Sequence, residues 1–246
     1  MSKVVSLPQT TVGKKVILAV SGAVLFGFLI GHLLGNLQVY PIFGGAQALN
    51  EYAASLRNIP GGLWPPRLVL LGAIIAHIWA AVALAWRNSD ARPERYQYKR
   101  KDQVTNYAAR TMMFSGPIVG LYIVYHLLHL TIGMGVVGGY DHQNVYNNVV
   151  YSFADWQISL VYIVANLMLG THLFHGAWSW FQSLGLNHPR YNAYRKGFAI
   201  GLAAFLTIGN VSIPIAVLTG IVEPTDEQFC FEELAKVEGE CDGFSN

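Results

Sequence analysis

Histidine recurs inside four of the long apolar runs of this chain: His32, His77, His126 with His129, and His172 with His175. An ionisable ring is costly in hydrocarbon, so a histidine buried there marks a functional site by default. Neutral imidazole is also the commonest metal ligand, through either ring nitrogen. A lone histidine in a membrane helix ordinarily serves as a polar group bonding to a neighbouring helix. Histidines on four separate helices point instead to paired ligands for buried cofactors.

The elements that must position these rings follow from composition. The chain has 246 residues, of which 53% are hydrophobic and 12% charged, and its mean hydropathy is +0.35. Soluble domains carry roughly 25% charged residues. Apolar runs long enough to cross a bilayer core, about 20 residues, occur at 16–38, 66–86, 111–135, 156–181 and 198–222. The expected fold is therefore an all-α membrane protein, a bundle of five transmembrane helices forming one domain over 1–222. Residues 223–246 follow as an acidic exterior tail with eight acids and one lysine. Lys14 and Lys15 precede the first run as they would in a signal peptide. The run is long and lacks an evident small-residue cleavage site, so a retained helix is expected.

Charge sets the orientation. Thirteen basic residues fall in the N-terminal segment, the second connection (87–110) and the fourth, against Arg57 and Arg67 on the other side. The positive-inside rule then puts the N-terminus in the cytoplasm and the C-terminus outside, as five spans require. Short basic loops beside membrane spans set topology or contact anionic lipid and partner subunits, so no nucleic acid is expected. Cys230 and Cys241 lie in the tail, where they form either a disulfide or two free thiols. The absence of Cys-x-x-Cys-His argues against covalently attached haem.

The first connection, about 39–65, reads as a structured exterior loop with a short helix at 46–56, and Pro65-Pro66 suit the start of the second span. The third connection, from Gly138-Gly139 to Asp155, reads as loop. Trp64, Tyr140, Tyr146, Tyr151 and Trp156 are placed as an interfacial aromatic belt. Gly27, Gly31 and Gly35 either pack a neighbouring helix closely or leave room beside His32 for a planar cofactor. Pro117 is expected to kink the third span, and no internal repeat is evident.

Depth sorts the histidines. His32 and His126 each lie eight residues before the outer end of a helix running outward, roughly 12 Å below that boundary at 1.5 Å per residue. His77 and His175 each lie ten residues before the inner end of a helix running inward, roughly 15 Å from it. An outer pair, His32 with His126, and an inner pair, His77 with His175, result. Two imidazoles on opposite faces of an iron porphyrin leave no open coordination position, which suits electron transfer. Zinc is the rival, since His-x-x-His occurs twice, but no Cys or carboxylate cluster completes a tetrahedral site. His129 and His172 lie about 60° around the helix from the chosen ligands and could replace them, bond a haem propionate or relay protons. His142 and His188 read as ordinary loop residues.

Three segments carry a resemblance: Gly31-His32-Leu33-Leu34-Gly35-Asn36-Leu37, Tyr125-His126-Leu127-Leu128-His129-Leu130-Thr131, and His172-Leu173-Phe174-His175-Gly176 followed by Trp178-Ser179-Trp180-Phe181-Gln182-Ser183-Leu184-Gly185. In this order on five helices, about 10–222 resembles the b558-type cytochrome b subunit of succinate dehydrogenase and fumarate reductase. The tail after Glu223 lies outside the pattern. The resemblance implies a five-helix anchor in the cytoplasmic (inner) membrane holding two haem b groups. By motif, its ligands fall on His32, His77, His126 and His175. It further implies a flavoprotein subunit with covalent FAD and an iron–sulfur subunit on the interior face, with the complex able to form a higher oligomer. Electrons would pass from the iron–sulfur subunit through the inner and outer haems to quinone, menaquinone rather than ubiquinone. The basic 87–110 loop is the leading docking surface. Quinone is expected beside the outer haem, where Asn36, Gln38, His129 and the 39–65 loop offer polar groups. A non-redox membrane anchor and another dihaem quinone enzyme, such as a hydrogenase cytochrome or a b561-type reductase, are the rival functions.

Overall fold

The computed structural model describes residues 6–91, 107–136, 139–186 and 188–225. Among these it contains α-helices and no strand: α1 (Thr11–Asn36), α2 (Gly45–Arg57), α3 (Trp64–Asp90), α4 (Tyr107–His126), α5 (Val145–Ala154), α6 (Trp156–Ser183) and α7 (Asn192–Leu218). Five of them, α1, α3, α4, α6 and α7, are long and apolar enough to cross a membrane. The Cys230/Cys241 pair, most of the basic loop and most of the acidic tail lie outside the described residues.

Local chemistry fixes the helix ends. Thr10 caps α1 by accepting from the Gly13 amide at 2.9 Å, and Asp155 caps α6 by accepting from Gln157 at 2.8 Å, each meeting a donor that the first turn leaves over. Proline occupies the first turn of α3, where its missing N–H costs nothing. α7 begins at Asn192, ahead of the expected 198, because its early charge is accommodated. Arg195 is buried, donates to Asn192 Oδ1 at 2.8 Å and to the Trp178 carbonyl at 3.2 Å, and lies over the Trp178 and Phe181 rings.

The spans pack as two hairpin-like pairs, α1 with α3 and α4 with α6, and α7 backs onto α6 and reaches α1. Neither α1 with α4 nor α3 with α6 forms an extended packed pair. Arg87 closes one end of the α1–α3 pair, donating to Thr11 Oγ1 at 3.2 Å and to the Gln9 carbonyl at 2.7 Å. On the α6–α7 seam, a Cβ on Gly170 would collide with Thr207. Small residues there let the backbones approach, as in many membrane bundles.

The three spaced glycines of α1 do not act alike. A Cβ on Gly35 would fall 2.5 Å from the Tyr52 ring, whereas at Gly27 and Gly31 it would meet nothing within 4 Å. Close packing therefore applies to Gly35 alone, and its neighbour is the short α2 rather than another span.

One end of the bundle is capped by α2 and α5. The third connection, read from sequence as loop, contains α5. Asn144 caps it by accepting from the Asn147 amide, and Tyr146, Val150 and Phe153 form its buried face at helical spacing. These join Val39, Leu49, Tyr162, Ile213, Ala216, Val217 and Val222 in one apolar cluster. Tyr146 is thus core, not interfacial belt. Burial, with the Glu223 carboxylate adding to it, pushes its phenol up, so it stays a donor to the Glu223 carbonyl at 2.8 Å.

Asparagines tie the cap together. Asn50 of α2 accepts from the Tyr146 amide and donates to Asn144, while Asn147, fully buried, holds Thr225 through its amide and hydroxyl. Losing the partner of a buried polar group costs about 1–3 kcal/mol. Asn147→Ala is accordingly expected to lower the thermal unfolding midpoint of the detergent-solubilised protein. Gln47→Ala, which removes an exposed contact to Glu51, is expected to change stability by less than about 0.5 kcal/mol. Equal midpoints for the two variants in a circular-dichroism melt would contradict the role given to Asn147.

Candidate functional site

The histidines meet across the seam between the two hairpins, at two levels. Nearer the cap, the ring of His32 from α1 lies edge-on to that of His126 from α4, with centroids 5.8 Å apart. Deeper in the bundle, the ring of His77 from α3 faces that of His172 from α6, with centroids 6.4 Å apart. His175, the residue taken from the motif as the inner ligand, makes no ring contact with His77 among the described residues, and its Nδ1 is buried without a hydrogen-bond partner. The reason is angular: three residues turn a helix by about 300°, and the face of α6 turned to the seam carries His172.

Each level has its own surroundings. Phe28 stacks on His32 at 5.3 Å, with 19° between the planes, while His126 is flanked by Tyr122 and Tyr162 at 5.9 Å each. The Nδ1 of His126 is buried and has no partner. Both inner rings, by contrast, are tied by serines from the adjacent helix. Ser21 Oγ lies 3.3 Å from His77 Nδ1, and Ser115 Oγ lies 3.3 Å from His172 Nδ1.

His129 takes a different path. α4 ends at His126 and continues as a π-helical turn, Leu127–Thr131, closed by the Ile132 amide on the Leu127 carbonyl. Such turns shift the register of the side chains that follow and recur at functional sites. Here the turn carries His129 into the core, 2% exposed. Its Nδ1 lies 2.9 Å from the Tyr162 hydroxyl, Tyr125 stacks on it at 5.5 Å, and its Nε2 is buried without a partner. Asn166 extends the cluster by donating to Tyr122 Oη and to the Tyr162 carbonyl.

Chemically, two imidazoles facing each other across a helix seam can hold a metal between them. Among the described residues no group of three or more His, Cys, Asp or Glu is placed to hold an ion by itself, so the remaining ligands would have to come from a bound group. Ser21, Ser115, Tyr162 and Asn166 were missed in the sequence. The serines left a legible signal: Ser-Gly followed after nine residues by His occurs in both α1 and α4.

No family model matches this chain, and neither does any curated protein or solved structure.

Among the described residues the Tyr162 hydroxyl is the only hydrogen-bond partner of His129, a histidine that water cannot reach. Tyr162→Phe leaves the ring packing and removes that bond, a loss of about 1–3 kcal/mol where the stranded group is buried. Thermal denaturation in detergent is expected to show this loss. Recovery of the full midpoint in Tyr162→Phe would show that the bond contributes nothing.

Proposed function

We propose that this chain is the membrane-anchor cytochrome b subunit of a succinate:quinone oxidoreductase. The observation that carries the reading is the pair of cross-hairpin histidine contacts at two levels of a five-helix membrane bundle. To it is added the resemblance of the His32, His126/His129 and His172/His175 segments to the b558-type subunit. In this reading the N-terminus is cytoplasmic, and the capped end and C-terminus face outward. A flavoprotein subunit carrying FAD and an iron–sulfur subunit dock on the basic cytoplasmic face. Quinol:fumarate reduction, the same electron path run in reverse, is the alternative.

Three features of the residues support a haem b at each level. The donor sets are right, one imidazole from each hairpin. Metal–imidazole bonds of about 2 Å, with ring radii added, separate opposed ring centroids by about 6 Å, and the two observed separations bracket that value. Open space stands beside His32, at Gly27 and Gly31. The inner pair is accordingly read as His77 with His172, in place of the His175 that the motif assigned.

Haem b, when bound, supplies one-electron transfer. The chain's own residues do the rest. His32 and His126 would hold the outer group, and His77 and His172 the inner one. Between the levels, Phe26, Leu29 and Ile30 of α1 and Val119 and Ile123 of α4 pack around a common apolar cluster, which keeps water out and helps tune the potentials. Quinone is assigned to the outer level, near Asn36, Gln38 and the buried His129, with menaquinone favoured over ubiquinone.

A pyridine haemochrome spectrum of the purified complex tests the reading. Two haem b per chain are expected, with one lost in His32→Ala or His126→Ala and the other in His77→Ala or His172→Ala. His175→Ala is expected to keep both. A haem-free complex would leave a non-redox anchor. Loss in His175→Ala but not in His172→Ala would restore the motif's assignment. Orientation is checked separately: alkaline phosphatase fused after residue 225 should be active, and fused within 92–106 inactive.

A further inference from the structure

The dipeptide Ser-Gly occurs twice in the chain, at Ser21-Gly22 in α1 and Ser115-Gly116 in α4. In both places a histidine follows the serine by eleven residues, His32 and His126. Eleven residues turn a helix through three full turns to within about 20°, and advance it by about 16 Å. Serine and histidine therefore share a face, one level apart. Each hairpin is built alike: its first helix gives an outer histidine and an inner serine, and its second gives the inner histidine that the serine touches.

We propose that Ser21-Gly22 and Ser115-Gly116 are matched positioning elements that hold His77 and His172 with Nδ1 as hydrogen-bond donor and Nε2 free for the group between them, an assignment that rests on the dihaem reading above. A hydroxyl has one hydrogen to give. Ser21 Oγ lies 2.7 Å from the Ile17 carbonyl, so its hydrogen goes there. The 3.3 Å contact to His77 Nδ1 must then be made by the ring's own N–H. Protonated at Nδ1, the imidazole carries its lone pair on Nε2. Ser115 Oγ lies 3.3 Å from His172 Nδ1 and 3.4 Å from the Met112 carbonyl. The carbonyl contact is longer than that of Ser21, and the same tautomer is assigned to His172 by the match between the two hairpins. Both serines are buried, at 6% and 0% exposure, so water does not compete for the bond.

The glycines line the same rings at ordinary contact distance. A Cβ on Gly22 would sit 3.4 Å from His77 Cε1, and one on Gly116 would sit 3.8 Å from His172 Cε1. Among the described residues no serine serves the outer level, where His126 Nδ1 has no partner and His32 is packed by Phe28. The device is confined to one pair. A hydrogen bond from the distal N–H of a ligating histidine fixes its orientation and raises its donor strength. A stronger donor favours the oxidised metal, so removing the bond should raise the reduction potential of that group alone.

The test is an optical redox titration and low-temperature EPR of the solubilised complex with Ser21→Ala, Ser115→Ala, both together, and the Ser21→Thr and Ser115→Thr controls. The expected result is two retained haems, with the midpoint potential and ferric EPR signal of one shifted and the other unmoved. Both single variants should shift the same haem upward, the double should shift it further, and threonine should restore it. Loss of that one haem on alanine substitution, recovered with threonine, also supports the assignment. Shifts in different haems, a downward or equal shift in both, or no shift would overturn it while leaving the dihaem reading intact. Loss of both haems that threonine does not recover would make the serines merely structural and overturn it as well. A wild-type complex without haem would overturn both the reading and this inference.

Discussion

A polar ring placed in hydrocarbon has no water to turn to, and every nitrogen it carries must find a partner in the protein or in something the protein holds. This chain places six histidines under that constraint, and the architecture follows from how each is answered. Two are answered by serines of the adjacent helix, and one, carried by a π-helical turn, by a tyrosine. His32 and His126 meet ring to ring, and His126 and His175 each keep a buried Nδ1 with no partner among the described residues. The helices also pack on one another: α1 pairs with α3, α4 with α6 and α6 with α7, and the two hairpins meet through a contact of α1 with α6 as well as through the histidine rings.

The eleven-residue interval makes the arrangement consistent. A spacing one or two residues shorter or longer would carry serine and histidine to different faces of α1 or α4, and the two levels would not line up along one seam. The cap of α2 and α5 then fixes the outer end, with Asn50, Asn144 and Asn147 acting as hubs that bind separate segments through backbone groups. Buried amides with all their bonds made are stiff and specific, which suits a region that must hold helix ends in register.

Much of this was visible in the sequence, because composition and length govern membrane spans. The five apolar runs correspond to the five long helices, and the short helix expected at 46–56 is α2. His32 and His126 share a depth in the sequence and lie ring to ring in the structure. What was not legible there shares a physical origin. His172 and His175 sit three residues apart, and depth alone does not distinguish them; the choice depends on the rotation of α6, which its packing on α4 and α7 sets. α5 was read as loop because its Tyr, Asn and Asp content resembles turn chemistry, yet Tyr146, Val150 and Phe153 keep helical spacing beneath that polarity. The Ser-Gly repeat escaped notice because two residues are a short signal until contact geometry gives their spacing a meaning.

The division into hairpins also governs the order of assembly. α1 and α3 together hold one histidine of each level and so complete neither pair. Both wait for α4 and α6, on the far side of the long basic connection, before a second imidazole stands opposite. As the chain emerges from synthesis, the first half therefore sits in the bilayer with two lone rings and one serine clasp. Neither ring pair comes into being before the second half has entered. Pairing is then a late event in the life of the polypeptide, and a chain truncated after α3 keeps His32 and His77 without their facing rings.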